Sequence, residues 1–195
     1  MKRVFFLVVI LVWLCCDSFG AQFAVDKGST MLGVTAGFLN ADGDLYEAPG
    51  ATSFTAILVT HQIAYMVVPR LGVGGDLLLF LTHQGPNKST TLGVGPRVMY
   101  FFGAKEGKAY PFLTAGFYLV RNDVEYIGFW EGFYQGTRIK LGGGTNVMLS
   151  RHLSLLIEAS YNFDELTLEG ERGEEDKTES GNMVIFTMGL AGFLF

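Results

Sequence analysis

From Leu153 to Phe163 every second residue is apolar, and those between them, Leu156 apart, are polar or charged. Leu153, Leu155, Ile157, Ala159, Tyr161 and Phe163 share one face of an extended chain, and His152, Ser154, Leu156, Glu158, Ser160 and Asn162 share the other. A period of two is the period of a β-strand. The same pattern returns at 90–102, where Leu92, Val94, Pro96, Val98, Tyr100 and Phe102 oppose Thr91, Gly93, Gly95, Arg97, Met99 and Phe101. At 71–82, Leu71, Val73, Leu77, Leu79 and Leu81 oppose Gly72, Gly74, Asp76, Leu78 and Phe80; at 135–148, Ile139, Leu141 and Val147 oppose Arg138, Lys140 and Asn146. One face is apolar throughout, while the other mixes glycine, charge and some bulk. A soluble barrel with a greasy cavity would place its polar residues outside. Here the charges lie on the sparse face, so the apolar face is assigned to lipid and the sparse one to the lumen. In lipid every backbone polar group must be bonded internally, which strands achieve only as a closed barrel.

Eight such strands are expected, at roughly 30–39, 54–67, 71–82, 90–102, 110–121, 135–148, 152–163 and 182–195. Most run to ten residues or more, the length of a tilted membrane strand. Connectors alternate in length. Those at Val68-Pro69-Arg70 and Leu149-Ser150-Arg151 are tight, and GAKEGKA at 103–109 is a slightly extended turn at the same end. Those at 40–53, 83–89, 122–134 and 164–181 are longer and polar or acidic. The fold class read from this is an all-β, eight-stranded antiparallel up-and-down transmembrane β-barrel. The second strand fits least well, since His61 shares a face with Ile63 and Tyr65, so a bulge is expected there.

The N-terminus predicts export. Met1-Lys2-Arg3 is a basic start, Val4 to Leu14 is an unbroken apolar run, and Ser18-Phe19-Gly20 places small residues before a cut at Gly20–Ala21. Residues 1–20 are read as a signal peptide, too short to span a membrane as a helix, and 21–195 as the barrel domain. A lipoprotein reading of Cys15 or Cys16 is disfavoured by the bulky residue before each. Both cysteines of the chain lie in this segment, so the mature chain would carry neither thiol nor disulfide. The whole chain has 14 Lys+Arg and 19 Asp+Glu; without Lys2, Arg3 and Asp17, 12 and 18 remain and the net charge is −6. That argues against a nucleic-acid partner.

Five charges are expected inside the barrel: Asp76, Arg97, Arg138, Lys140 and Glu158. Eight strands leave room for little more than side chains, and buried charges need partners. A turn near Pro86-Asn87 would set Asp76 opposite Arg97, and a turn near Ser150 would set Glu158 opposite Gly142, diagonal to Lys140. A turn near Glu106-Gly107 would set Gly116 opposite Arg97, leaving space for the guanidinium. Either these charges neutralise one another and plug the lumen, or they line a narrow passive channel for small solutes. In the first case, removing Arg97 and Lys140 together is expected to open a leak.

From Tyr65 onward the stretches VVPRLGVGGDLLLF, TTLGVGPRVMYFFG, GKAYPFLTAGFYLV and RHLSLLIEASYNF, with the ending GLAGFLF, resemble the OmpA/OmpX-type family of small outer-membrane β-barrel proteins. The resemblance covers roughly residues 30–195 and is one of pattern. It implies a porin-like barrel in the cell outer membrane of a Gram-negative-type bacterium, facing lipid and lipopolysaccharide. It also implies a final strand, with Phe193 and Phe195, that is read by the barrel-assembly machinery, Phe195 facing lipid. Replacing Phe195 by Ser is then expected to cut assembly into membranes, measured as the folded fraction on unboiled gels. Thr114 departs from the family pattern, in which an inward acid is frequent at that place.

The remaining motifs carry little chemistry. His152-Leu153-Ser154 is similar to the His-x-Ser pair of lipid A deacylases, but it follows a short, periplasmic turn, away from the outer leaflet where lipid A lies. Tyr126, Phe129, Trp130 and Phe133 are read as an aromatic belt with a strand extension, or as contacts for a partner of the 122–134 loop. The acids of 164–180 are read as a solvated loop, or as a collector of divalent cations bridging to lipopolysaccharide. No cofactor, metal site or catalytic residue is expected. The protein is expected to be a monomeric, non-enzymatic outer-membrane barrel acting structurally or through its outer loops. The runner-up is a narrow channel, and a lipid A-modifying enzyme is the remote alternative.

Overall fold

The apolar alternation closes on itself. In a computed structural model describing residues 23–42, 54–84, 87–104, 106–126, 130–168 and 177–195, eight antiparallel strands form a closed barrel in sequence order. They are β1 (Thr30–Asp42), β2 (Phe54–Val68), β3 (Leu71–Gln84), β4 (Asn87–Phe101), β5 (Ala109–Tyr126), β6 (Trp130–Met148), β7 (Leu153–Leu168) and β8 (Lys177–Leu194). β1 closes the ring on β8, with Thr30 opposite Leu194 and Asp42 opposite Asn182. The signal-peptide segment, residues 1–20, lies outside the described residues.

Face assignment follows the alternation. Leu92, Val94, Leu119, Leu141 and Phe186 are half-exposed on the outer wall. Asp76, Arg97, Arg138, Lys140 and Glu158 are buried within. His61 does lie outside with Ile63, but no bulge is needed to place it there: β2 keeps register from Phe54 to Met66, and its one irregularity falls between Met66 and Val68. The two-residue turn Pro69–Arg70 puts Arg70 at φ 71°, a left-handed conformation that tight hairpin turns demand.

Two registers differ from expectation. Asp76 faces Gly95, and Arg97 faces Gly74. Glu158 faces Gly144, and Lys140 faces Asn162. Each hairpin is offset by two residues because β3 and β4 pair as far as Gln84–Asn87, and because the turn after Met148 runs to Ser154 before pairing begins. A shift of two keeps every side chain on its face. The third register is as expected, with Gly116 opposite Arg97.

The far ends of the hairpins are strand where loop was expected. β5 and β6 pair without a break from Ala109–Val147 to Tyr126–Trp130. Val120, Val124, Phe133 and Tyr134 are good strand formers, and cross-strand pairing carries them outward. β7 likewise runs to Leu168, and β8 starts at Lys177. At the opposite, turn end, residues 23–29 fold across the mouth. Val25 C=O accepts from Arg70 N–H at 2.8 Å, Gly28 N–H donates to Met66 C=O at 2.9 Å, and Ser29 Oγ donates to Ala24 C=O at 2.7 Å. Ala24 and Val25 are buried.

Candidate functional site

The lumen is where β3 to β7 bring their charges together. Arg97 is the hub. Its Nη1 lies 3.4 Å from both Asp76 oxygens, its Nη2 donates to Glu158 Oε2 at 2.5 Å, and its Nε donates to Thr114 Oγ1 at 2.8 Å. Thr114 Oγ1 in turn donates a hydrogen bond to the Val98 carbonyl at 3.1 Å. Lys140 Nζ bonds Glu158 Oε1 at 2.5 Å and lies 3.5 Å from Asp76 Oδ2. Tyr118 donates its hydroxyl to Asp76 Oδ2 at 2.8 Å. Two carboxylates meet two cations, so the cluster is neutral, and all four side chains are at most 7% exposed. Neutrality with satisfied hydrogen bonds is the condition on which charges survive burial.

The expected partnerships Asp76–Arg97 and Glu158–Lys140 are therefore present as contacts, despite the register offset. Long stems make this possible, since an Arg or Lys head can cross one rung. Gly116 does not make room for the guanidinium. A Cβ there would strike the Tyr118 ring, so the space belongs to Tyr118, which folds back over Gly116 to reach Asp76.

Arg138 pairs with a different acid. It forms a two-pronged bond to Asp164, Nε to Oδ1 and Nη2 to Oδ2, both at 2.6 Å. Sequence reasoning missed Asp164 by counting it into the acidic loop. It lies in phase with Glu158, Ser160 and Asn162, all inward on β7, and that phase was the available signal. Five more acids of the expected loop, Glu169, Glu171, Glu174, Glu175 and Asp176, lie outside the described residues. Among the described residues no group of His, Cys, Asp and Glu is placed to hold a metal ion.

Apolar layers flank the charges on both sides. Toward the turn end, Met31, Met99, Phe101, Phe112, Leu156 and Phe193 form one cluster with Ala24 and Val25. Its Phe112 ring lies 5.9 Å from the Arg97 guanidinium carbon, so the layers touch. Toward the hairpin end, Leu58, Phe80, Met183 and Ile185 form a second cluster, and Leu78, Val120 and Leu166 pack with Tyr118 as a third.

The C-terminal residues point differently from expectation. Outward positions on β8 are Val184, Phe186, Met188, Leu190 and Leu194. Phe193 has the opposite parity and is fully buried in the lumen. Phe195, one residue past β8, packs beneath the same cluster instead of facing lipid, with its ring 4.7 Å from that of His152 and 5.5 Å from the Arg151 guanidinium. His152 and Ser154 are not assembled as a catalytic pair. His152 Nδ1 lies 3.0 Å from the Phe193 carbonyl, while Ser154 Oγ donates into the lumen to Asn146 Oδ1 at 2.9 Å.

Of the aromatic candidates near the hairpin tip, Phe129 lies outside the described residues, and Tyr126 and Trp130 pair as the last rung of the ladder. Phe133 is half-buried on the outer side, with the Arg121 guanidinium 4.5 Å from its ring centroid. Arg121 also bonds Asp123 at 2.8 Å.

No protein-family model and no curated protein matches the chain. Solved structures do. Neisserial surface protein A superposes with a TM-score of 0.65 at 16% identity, covering 87% of this chain and 98% of its own. OprG, an outer membrane protein of Pseudomonas aeruginosa, gives 0.58 at 12% identity, covering 88% and 99%. Ail, the attachment invasion locus protein of Yersinia pestis, gives 0.50 at 11%, covering 85% and 99%. At these identities the likeness is one of fold, and the fold of this chain is that of the small eight-stranded outer-membrane β-barrels.

Proposed function

We propose that the protein is an outer-membrane barrel with a sealed lumen, which acts structurally or through its surface and not as a pore or an enzyme. On this reading residues 1–20 direct export and are removed near Gly20–Ala21, the turn end faces the periplasm, and the extended hairpins stand outside the cell. The wall meets lipid and lipopolysaccharide, and the final strand, with Phe193 and Phe195, engages the assembly machinery.

The layered lumen is the observation that carries this. A neutral ionic layer lies between apolar ones, and residues 23–29 cover the mouth beneath. An ion crossing such a path would have to break buried pairs and then shed its hydration among Phe101, Phe112 and Phe193. Protein extracted from membranes after expression of the full chain, and shown by unboiled gel mobility to be folded, should give no current steps in a planar bilayer. Discrete, reproducible steps from folded protein would overturn the reading in favour of a narrow channel.

A further inference from the structure

The lipid-facing wall carries one residue that the sealed-barrel reading does not use. The outward series of β2 is Ile57, Val59, His61, Ile63, Tyr65 and Val67, so His61 lies near the middle of the apolar band. Its cross-strand neighbours are Val34 on β1 and Leu77 on β3, both outward and both apolar. The imidazole is exposed on the wall, and its nitrogens meet no hydrogen-bond partner among the described residues. Beside it the wall is hollowed. Gly75, outward on β3 and opposite Ile63, presents no side chain, and a hollow of about 730 Å³ lies there between Leu32, Val34, Ile63, Leu77 and Val94.

Acyl chains at that depth offer only methylenes, so lipid alone leaves the ring unsatisfied, a costly state in hydrocarbon. A neutral imidazole has one N–H donor and one acceptor nitrogen. A second imidazole therefore satisfies it, one ring donating and the other accepting. Membrane orientation supplies the match. Two copies inserted in the same sense are related by an axis along the membrane normal, so a residue beside that axis meets its own counterpart at its own depth. With the axis beside His61, the group that faces it is another His61. The hollow at Gly75 lets the two convex walls come close, with an apolar side chain of one copy seated in the hollow of the other.

We propose that the barrel pairs with a second copy of itself through the β1–β2–β3 wall, His61 bonding to His61 across the two-fold axis. The contact rests on the lipid-facing assignment of this wall, and not on the lumen being sealed.

The test measures self-association in vesicles, by energy transfer between labelled copies of the folded protein, for wild type and His61→Leu. Leucine suits a lipid-facing strand, so the variant should fold, and unboiled gel mobility confirms it. Wild type should dimerise, and His61→Leu should associate about tenfold more weakly, the scale of one membrane hydrogen bond. A companion pair, His61→Cys and Ile139→Cys, is oxidised in membranes of cells expressing the full chain. A covalent dimer should form from residue 61 and not from 139, on the far wall. Monomeric wild type, equal association of the two proteins, or equal cross-linking from both positions would each overturn the proposal. The last result would show crowding without a defined face.

Discussion

Replacing Asp164 by Ala should destabilise the barrel by about 3–5 kcal/mol, the cost of breaking a buried ion pair from one side. Asp164 is 3% exposed and Arg138 2%, and the substitution takes away both prongs of the bond between them. A guanidinium cannot shed its proton to escape, as a carboxylate can gain one. The penalty should therefore persist at every pH at which the protein can be handled. Changing both partners, Arg138→Met with Asp164→Leu, should return most of the loss, since a buried pair replaced by apolar groups of similar volume is often near neutral. Asp123→Ala supplies the contrast. Its partner Arg121 is held at 2.8 Å, but the two side chains are 58% and 55% exposed, and removing such a pair changes stability by well under about 1 kcal/mol. Urea unfolding of the vesicle-inserted protein reads all three variants against wild type. If Asp164→Ala and Asp123→Ala unfold at the same midpoint, Asp164 is not a buried partner and the β7 boundary is misplaced.

Asp164 also shows where sequence reading stops. The faces of the strands were legible because alternation is local: Glu158 is inward whatever its neighbours do, and so are Asp76, Arg97, Arg138 and Lys140. Pairing across strands is not local. It depends on where each turn closes, and two hairpins closed two residues from the expected place, which left the faces intact but moved the opposing glycines. Strand ends were harder still. The acidic run after residue 164 looked like solvent, yet the same alternation carried Asp164 inward before the charge became continuous. The tip of the β5–β6 hairpin looked like loop because it is polar, though its aromatic and β-branched residues continue the ladder. Parity alone would have turned Phe193 and Phe195 away from lipid, had it been counted back along β8. Nothing in the pattern marked residues 23–29 as a cover for the mouth, because their bonds run from Val25 and Gly28 to Arg70 and Met66 at the β2–β3 turn, which no local period shows.

Removing both lumen cations, Arg97→Ser with Lys140→Ser, should leave the folded barrel electrically silent, although the sequence alone suggested a leak. The substitutions empty the ionic layer of its two long side chains and leave Asp76 and Glu158 facing each other. Two like charges stripped of both their cations are left uncompensated in the interior. Stability should fall by several kcal/mol, and folding has to be checked before conductance is read. The space created is polar and able to hold water, but it is a chamber and not a passage. Toward the turn end, Phe101, Phe112 and Phe193 still meet under it, backed by Ala24 and Val25; toward the hairpin end, Leu58, Phe80 and Met183 remain. Current should appear only when an apolar layer is opened as well, for instance by adding Phe101→Ala and Phe112→Ala. Steps from the double variant alone would mean that the ion pairs are the whole seal and the apolar layers admit water. Silence from the double variant, followed by steps from the quadruple one, would place the barrier to ions in the aromatic floor that residues 23–29 support, with the charges acting mainly to hold β3 to β7 in register.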